Sequence, residues 1–160
     1  MGGTLSPPFY MMTDVSFYHL TRSSLEQALP RLLEKILDSQ KRAVVYGATD
    51  ERIDALNTTL WTYGRGSFIP HGTHKEGNTV DQPVWLTTQE ENPNGATFLV
   101  LIENQTCPDL EPYERCLILF DGNDEVALKD ARASWKALRE KGHTITYWAQ
   151  DQNGRWEKAA

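Results

Sequence analysis

Arg42-Ala43-Val44-Val45-Tyr46-Gly47 is a short, almost unbroken apolar run closed by a glycine, and a helix-period stretch begins three residues later at Asp50. A strand without polar alternation is covered on both faces, which is the situation of a parallel strand inside an α/β sheet. Asp50 predicts a helix cap, and Ile53, Leu56, Leu60 and Trp61 read as one stripe turned to the core. The same alternation continues in both directions. Upstream, residues 15–20 mix β-branched and aromatic residues as a strand does. Ser23 or Ser24 then caps a helix reaching about Ser39, with Leu29, Leu32, Leu33, Ile36 and Leu37 inward. Pro30 fits there only in the first turn or at a kink. Downstream, residues 83–86, 96–102 and 115–120 read as strands, 125–141 as the most regular helix, stopped by Gly142, and 143–148 as the strand that closes the sheet. Residues 62–82, broken by Gly64, Gly66, Pro70, Gly72 and Gly77, stay irregular apart from a possible short pairing at 67–69, and 149–160 form a polar tail. The expectation is a three-layer α/β/α domain with a mostly parallel, Rossmann-like sheet.

Composition narrows the function. The 160 residues suit a single core, and residues 1–11, rich in glycine and proline, read as an extension or tag remnant ahead of a domain spanning 12–160. No secretory leader or membrane span is visible, and two cysteines, Cys107 and Cys116, make neither a disulfide scaffold nor a metal set, so a cytoplasmic protein is expected. Sixteen basic against twenty-two acidic residues leave a net charge of −6, which repels nucleic acid unless a basic patch is local.

A doubly wound sheet raises the question of a nucleotide. The first strand runs into Thr21-Arg22-Ser23-Ser24 and the second into Gly47-Ala48-Thr49-Asp50-Glu51; neither is a glycine-rich phosphate loop. His71, His74 and Glu76 offer a metal-like spacing, but glycine-rich loops rarely fix such ligands, and no cofactor or metal is expected. No nucleophile–base pair stands out, so a catalytic site is not expected either.

Two surfaces do stand out. In the last helix Leu128, Ala131, Trp135 and Leu138 form an apolar stripe, and Lys129, Arg132, Lys136 and Arg139 repeat the spacing about 100° round the helix. This is either a solvated outer face or a receptor for an acidic peptide ending in apolar side chains, with cations for carboxylates and Trp135 beside them. Direct DNA binding is a weaker use of four charges. The second surface is Leu60-Trp61 with Ser67-Phe68-Ile69-Pro70-His71, either plugs under a loop or an exposed anchor pair of Trp61 and Phe68.

Taken with Phe17-Tyr18-His19-Leu20, Lys41-Arg42-Ala43-Val44-Val45-Tyr46, Pro83-Val84-Trp85-Leu86, Leu119-Phe120-Asp121-Gly122-Asn123-Asp124, Ala131-Arg132-Ala133-Ser134-Trp135-Lys136, Gly142-His143-Thr144-Ile145-Thr146-Tyr147-Trp148 and Gly154-Arg155-Trp156-Glu157-Lys158, these surfaces give a chain that resembles the chi subunit family of the bacterial DNA polymerase III holoenzyme from Met12 onward. The resemblance implies a non-enzymatic accessory of the clamp-loader complex. Such a subunit captures the acidic, phenylalanine-ended C-terminal tail of single-stranded-DNA-binding protein, so that DNA is reached only indirectly. It implies Arg132, Trp135, Lys136 and Arg139 as the tail site, with Trp135 standing where some relatives carry tyrosine. It also implies Trp61, Phe68, Pro70 and His71 as the surface for the psi subunit or another clamp-loader component, or for an XPD-like repair helicase. The rivals are a nucleotide-dependent enzyme and a direct single-stranded-DNA binder.

Overall fold

The computed structural model describes residues 13–63, 69–75 and 79–159. Phe68, Glu76 and residues 1–12 lie outside them. The elements run β1 (Asp14–Leu20), α1 (Leu25–Asp38), β2 (Ala43–Tyr46), α2 (Asp50–Thr62), one turn of 3-10 helix (Thr79–Asp81), β3 (Val84–Thr87), β4 (Phe98–Leu101), β5 (Arg115–Asp121), α3 (Glu125–Glu140), β6 (Thr144–Gln150) and β7 (Trp156–Lys158). The strands form one seven-stranded sheet in the order β3-β2-β4-β5-β1-β6-β7, parallel throughout except for the β6–β7 pair.

Successive side chains of a strand point to opposite faces, and the sheet divides its apolar residues accordingly. Val45, Leu86, Ile102 and Leu119 meet Leu29, Leu33 and Ile36 of α1 and Ile53, Leu56 and Leu60 of α2. Val44, Trp85, Leu99, Ile118 and Phe120 meet Ala127 and Ala131 of α3, with Leu110 and Tyr113 from the loop before β5. Two helices therefore cover one face, and α3 with that loop covers the other: the three-layer α/β arrangement expected from the alternation of strands and helices. Each fully buried aliphatic side chain contributes about 1.5–3 kcal/mol to that packing.

Several local expectations need correction. Ser24 caps α1 through a capping box with Gln27, which excludes a first-turn position for Pro30; the proline lies in the second turn, buried, where it removes one main-chain hydrogen bond. The cap of α2 is Thr49, whose hydroxyl accepts the Arg52 N–H, and not Asp50. Trp61 leaves the stripe of Ile53, Leu56 and Leu60 and is 55% exposed. It follows Leu60 by 100° of helix, which is enough to turn it outward. Finally, β6 does not close the sheet. Residues 156–158, read as tail, pair with it as β7, and Trp156 packs edge-on against Tyr18 with centroids 5.1 Å apart.

Candidate functional site

α3 begins at Asp124, whose carboxylate accepts the N–H groups of Val126 and Ala127, and ends at Gly142, whose φ of +91° suits a residue without a side chain. Between these stops the helix buries Ala127 and Ala131 and leaves Leu128, Trp135 and Leu138 half-buried. Lys129, Arg132, Lys136 and Arg139 are exposed, and none of them enters an ion pair among the described residues. The Arg139 guanidinium carbon lies 5.0 Å from the centroid of the Trp135 ring, a cation–π contact that fixes both at the border of the apolar strip. Tyr147 of β6 flanks the ridge from the sheet. Burial raises its phenol pKa, and the neighbouring charge of Arg132 pulls it part of the way back. Its hydroxyl lies 2.9 Å from His19 Nδ1. The His19 ring is admitted because residue 122 is glycine: a Cβ there would sit 1.9 Å from the ring. The Asp121-Gly122-Asn123-Asp124 turn thus both starts α3 and makes room for the rings beside it.

An open apolar hollow of 280 Å³ also borders α3, lined by Cys107, Pro108, Leu110, Ala137 and Leu138 among others. It opens roughly half a turn round the helix from the ridge, so the apolar surface adjoining the cations is the Leu128–Trp135–Tyr147 strip. Burial raises the pKa of both thiols at that hollow, Cys107 and Cys116, away from the reactive thiolate.

The second surface is brought together in part. Trp61 is exposed, Pro70 is half-buried, and His71 is only 5% exposed, its ring centroid 4.8 Å from that of Trp61. His71 therefore supports the indole and offers little surface of its own; its Nδ1 is 2.6 Å from the Ile69 carbonyl oxygen. Phe68 lies outside the described residues. His74 is exposed and, among the described residues, no three histidine, cysteine or acidic side chains gather as a metal set.

One feature escaped the reading of the sequence. The turn after β1, where a nucleotide-binding sheet of this kind would cradle a phosphate, has three successive N–H groups converging on one atom. Thr21, Arg22 and Ser23 donate to Gln150 Oε1 at 3.0, 2.9 and 3.1 Å. The Gln150 amide nitrogen is held in turn by Ser23 Oγ at 2.9 Å and the Gly154 carbonyl at 3.2 Å. A side chain of the chain itself fills the cradle, and a phosphate would have to displace it.

Among the described residues no helix is long and apolar enough to cross a membrane. A curated protein of Rickettsia prowazekii (strain Madrid E), named "Probable DNA polymerase III subunit chi", is 29% identical over 156 residues, covering 93% of each chain. The family model described as DNA polymerase III chi subunit, HolC, matches residues 12–146, a span that holds every element from β1 to α3, including the ridge and the Trp61 surface. On that match the chain belongs to the DNA polymerase III chi subunit family, the accessory subunits of a replicative polymerase.

Proposed function

We propose that this chain is a non-catalytic adaptor that captures the acidic C-terminal tail of single-stranded-DNA-binding protein on α3. By the same reading it links that protein to the clamp-loader complex of DNA polymerase III in the cytoplasm. The observation that carries the reading is the row Arg132, Lys136 and Arg139, exposed, without ion-pair partners among the described residues, and bordered by the half-buried Trp135 and Leu128. Carboxylates of a tail meet the cations, and its terminal phenylalanine lies along the indole and Leu128. The tryptophan supplies a stacking face without a hydroxyl, and its one polar group is the indole N–H. Rim charges speed encounter and apolar contact slows release. A short disordered tail must be ordered on binding, which sets a micromolar affinity, about −8 kcal/mol. Trp61, propped by His71 and bordered by Pro70, is the surface offered to the psi subunit, another clamp-loader component or an XPD-like helicase.

Calorimetric titration tests the tail site. A peptide ending in several aspartates and a phenylalanine binds with micromolar Kd, and removal of the phenylalanine weakens it. Arg132→Ala and Lys136→Ala each cost about 1–3 kcal/mol with the melting temperature unchanged. Trp135→Ala removes the distinction between the two peptides. Wild-type affinity in both cation variants would take α3 out of the site.

A further inference from the structure

We propose that the groove between α1 and the β6–β7 edge binds single-stranded nucleic acid directly. The proposal rests on a different surface from α3 and amends the expectation that DNA is reached only through a partner. The groove has a volume of 950 Å³ and is lined by Arg22, Arg31, Lys35 and Arg155, with Gln152 and Trp156 between them. Among the described residues no aspartate or glutamate lines it, and none of the four cations enters an ion pair there. In a chain of net charge −6 this is a second concentration of positive charge, drawn from distant segments. The nearby Asp151 is held in the β6–β7 turn, where its Oδ1 accepts the N–H groups of Asn153 and Arg155 at 2.8 and 2.9 Å.

The cations extend along the strands. Arg22 follows the carboxyl end of β1. Arg31 and Lys35 are one turn apart on α1. A second hollow of 440 Å³ shares Lys35 and Leu32 with the groove and continues to Lys41 and Arg115. Arg115 pairs in register with Asp14, the first residue of β1, and Lys41 is tied to Glu114 at 3.0 Å. Glu114 also lines this second hollow and neutralises Lys41, so the track runs on from Lys35 to Arg115 across the seven residues of β1, about 20 Å, which suits an extended polyanion better than a point anion. Beside the track the sheet shows aromatic rings. Tyr18 stacks on Trp148 with centroids 6.5 Å apart and planes 11° apart, and meets Trp156 edge-on. Cations that follow a backbone, with half-buried rings and side-chain amides at base level, are the components of a single-strand site. An acidic peptide with an apolar end would need a slot that the groove lacks: the aliphatic residues of its lining, Ala28 and Leu32, are buried.

The test is fluorescence anisotropy of the full chain with a labelled oligothymidylate, titrated from about 50 to 200 mM salt. Single strands lose about 0.7 in the logarithmic salt slope per contacted phosphate, so four cations predict a slope of about −3. Arg31→Ser with Lys35→Ser lowers oligonucleotide affinity about tenfold or more. Arg132→Ser with Lys136→Ser, which changes the net charge by the same amount, leaves it within about twofold. Both groove residues are exposed, so a wild-type melting curve is expected; should the pair melt early, Arg155→Ser in the turn replaces it. Absence of binding at low salt, equal losses from the two charge-matched pairs, or a groove pair that weakens the acidic peptide and spares the oligonucleotide would each overturn the proposal. The last outcome would assign the groove to a peptide.

Discussion

On α3, Arg132, Lys136 and Arg139 stand beside the half-buried side chains of Trp135 and Leu128; beside α1, Arg22, Arg31, Lys35 and Arg155 stand around Gln152, Asn153 and Trp156. The charges of the two regions are similar in kind and number, and what lies between them is not. The α3 strip is apolar because it continues the packing of a helix on a sheet, so a ligand there gains by desolvating an apolar group. The groove is polar because it sits over a sheet edge finished by a turn, so a ligand there exchanges hydrogen bonds with amides and contacts rings by their faces or edges. Since α1 and α3 lie on opposite faces of the sheet, the two regions do not overlap. If both proposals hold, a tail peptide and an oligonucleotide bind together, and where one particle carries both, capture of the tail raises the effective concentration of the strand.

The largest effect that would break this comparison is charge reversal. Arg132→Glu with Lys136→Glu turns attraction for a carboxylate-rich tail into repulsion at two positions, and a loss of about a hundredfold or more in tail-peptide affinity is expected. Oligonucleotide binding should fall far less, through the change in net charge alone. Parallel losses of the same size for both ligands would mean that a single site serves both.

Next in size is Gly122→Ala. The added Cβ would meet the His19 ring at 1.9 Å and the Leu20 carbonyl oxygen at 3.0 Å, so the ring or the turn must move, at a cost of about 1–3 kcal/mol. His19 is in contact with Tyr147 and Phe120, so the disturbance falls on the α3 side. Thermal unfolding should drop by several degrees and tail affinity with it, while the folded molecules keep the groove. A variant as stable as wild type would show that the turn relaxes without displacing the ring.

The α3 ridge could be read in the sequence because a helix folds a local period into one face: residues 129, 132, 136 and 139 need no partner to become neighbours. The strands were legible for the same reason, as apolar runs of a few residues. The groove was not, because its cations come from positions 22, 31, 35 and 155 and meet only through the parallel pairing of β1 with β6 and the return of β7. Trp156–Lys158 is three residues with two charges, too short and too polar to show a period, and its strand character comes from the open edge of β6. Gln150 was equally hidden, since nothing local announces an amide that reaches back more than 120 residues to three N–H groups. The cap at Thr49 was missed by one residue because threonine and aspartate cap alike. Trp61 reads both as part of the α2 stripe, because it is a large apolar residue next to Leu60, and as an exposed anchor; its angle, 100° past Leu60, excludes the first of these.

The smallest effects sharpen the comparison most, because each region carries its own titrating reporter. Tyr147 has its phenol raised by burial and drawn partly back by Arg132, so Arg132→Ala should push it further up. Asp151 is held below the ordinary carboxylate range, chiefly by the Arg155 N–H and to a smaller extent by the charges of Arg155 and Arg22; Arg22→Ala should let it rise slightly. Its folded value lies below its unfolded one, so whatever stability it supplies is present above the ordinary aspartate value, near pH 4, and is lost as the pH falls through the folded value. Nuclear magnetic resonance titration of the two side chains then separates the ligands without any mutation. A bound tail brings carboxylates to Arg132 and raises Tyr147 alone; a bound oligonucleotide brings phosphates to Arg22 and Arg155 and raises Asp151 alone. Movement of both reporters with either ligand would mean that the two faces of the sheet communicate, and the division of labour drawn between them would have to be replaced by a single coupled surface.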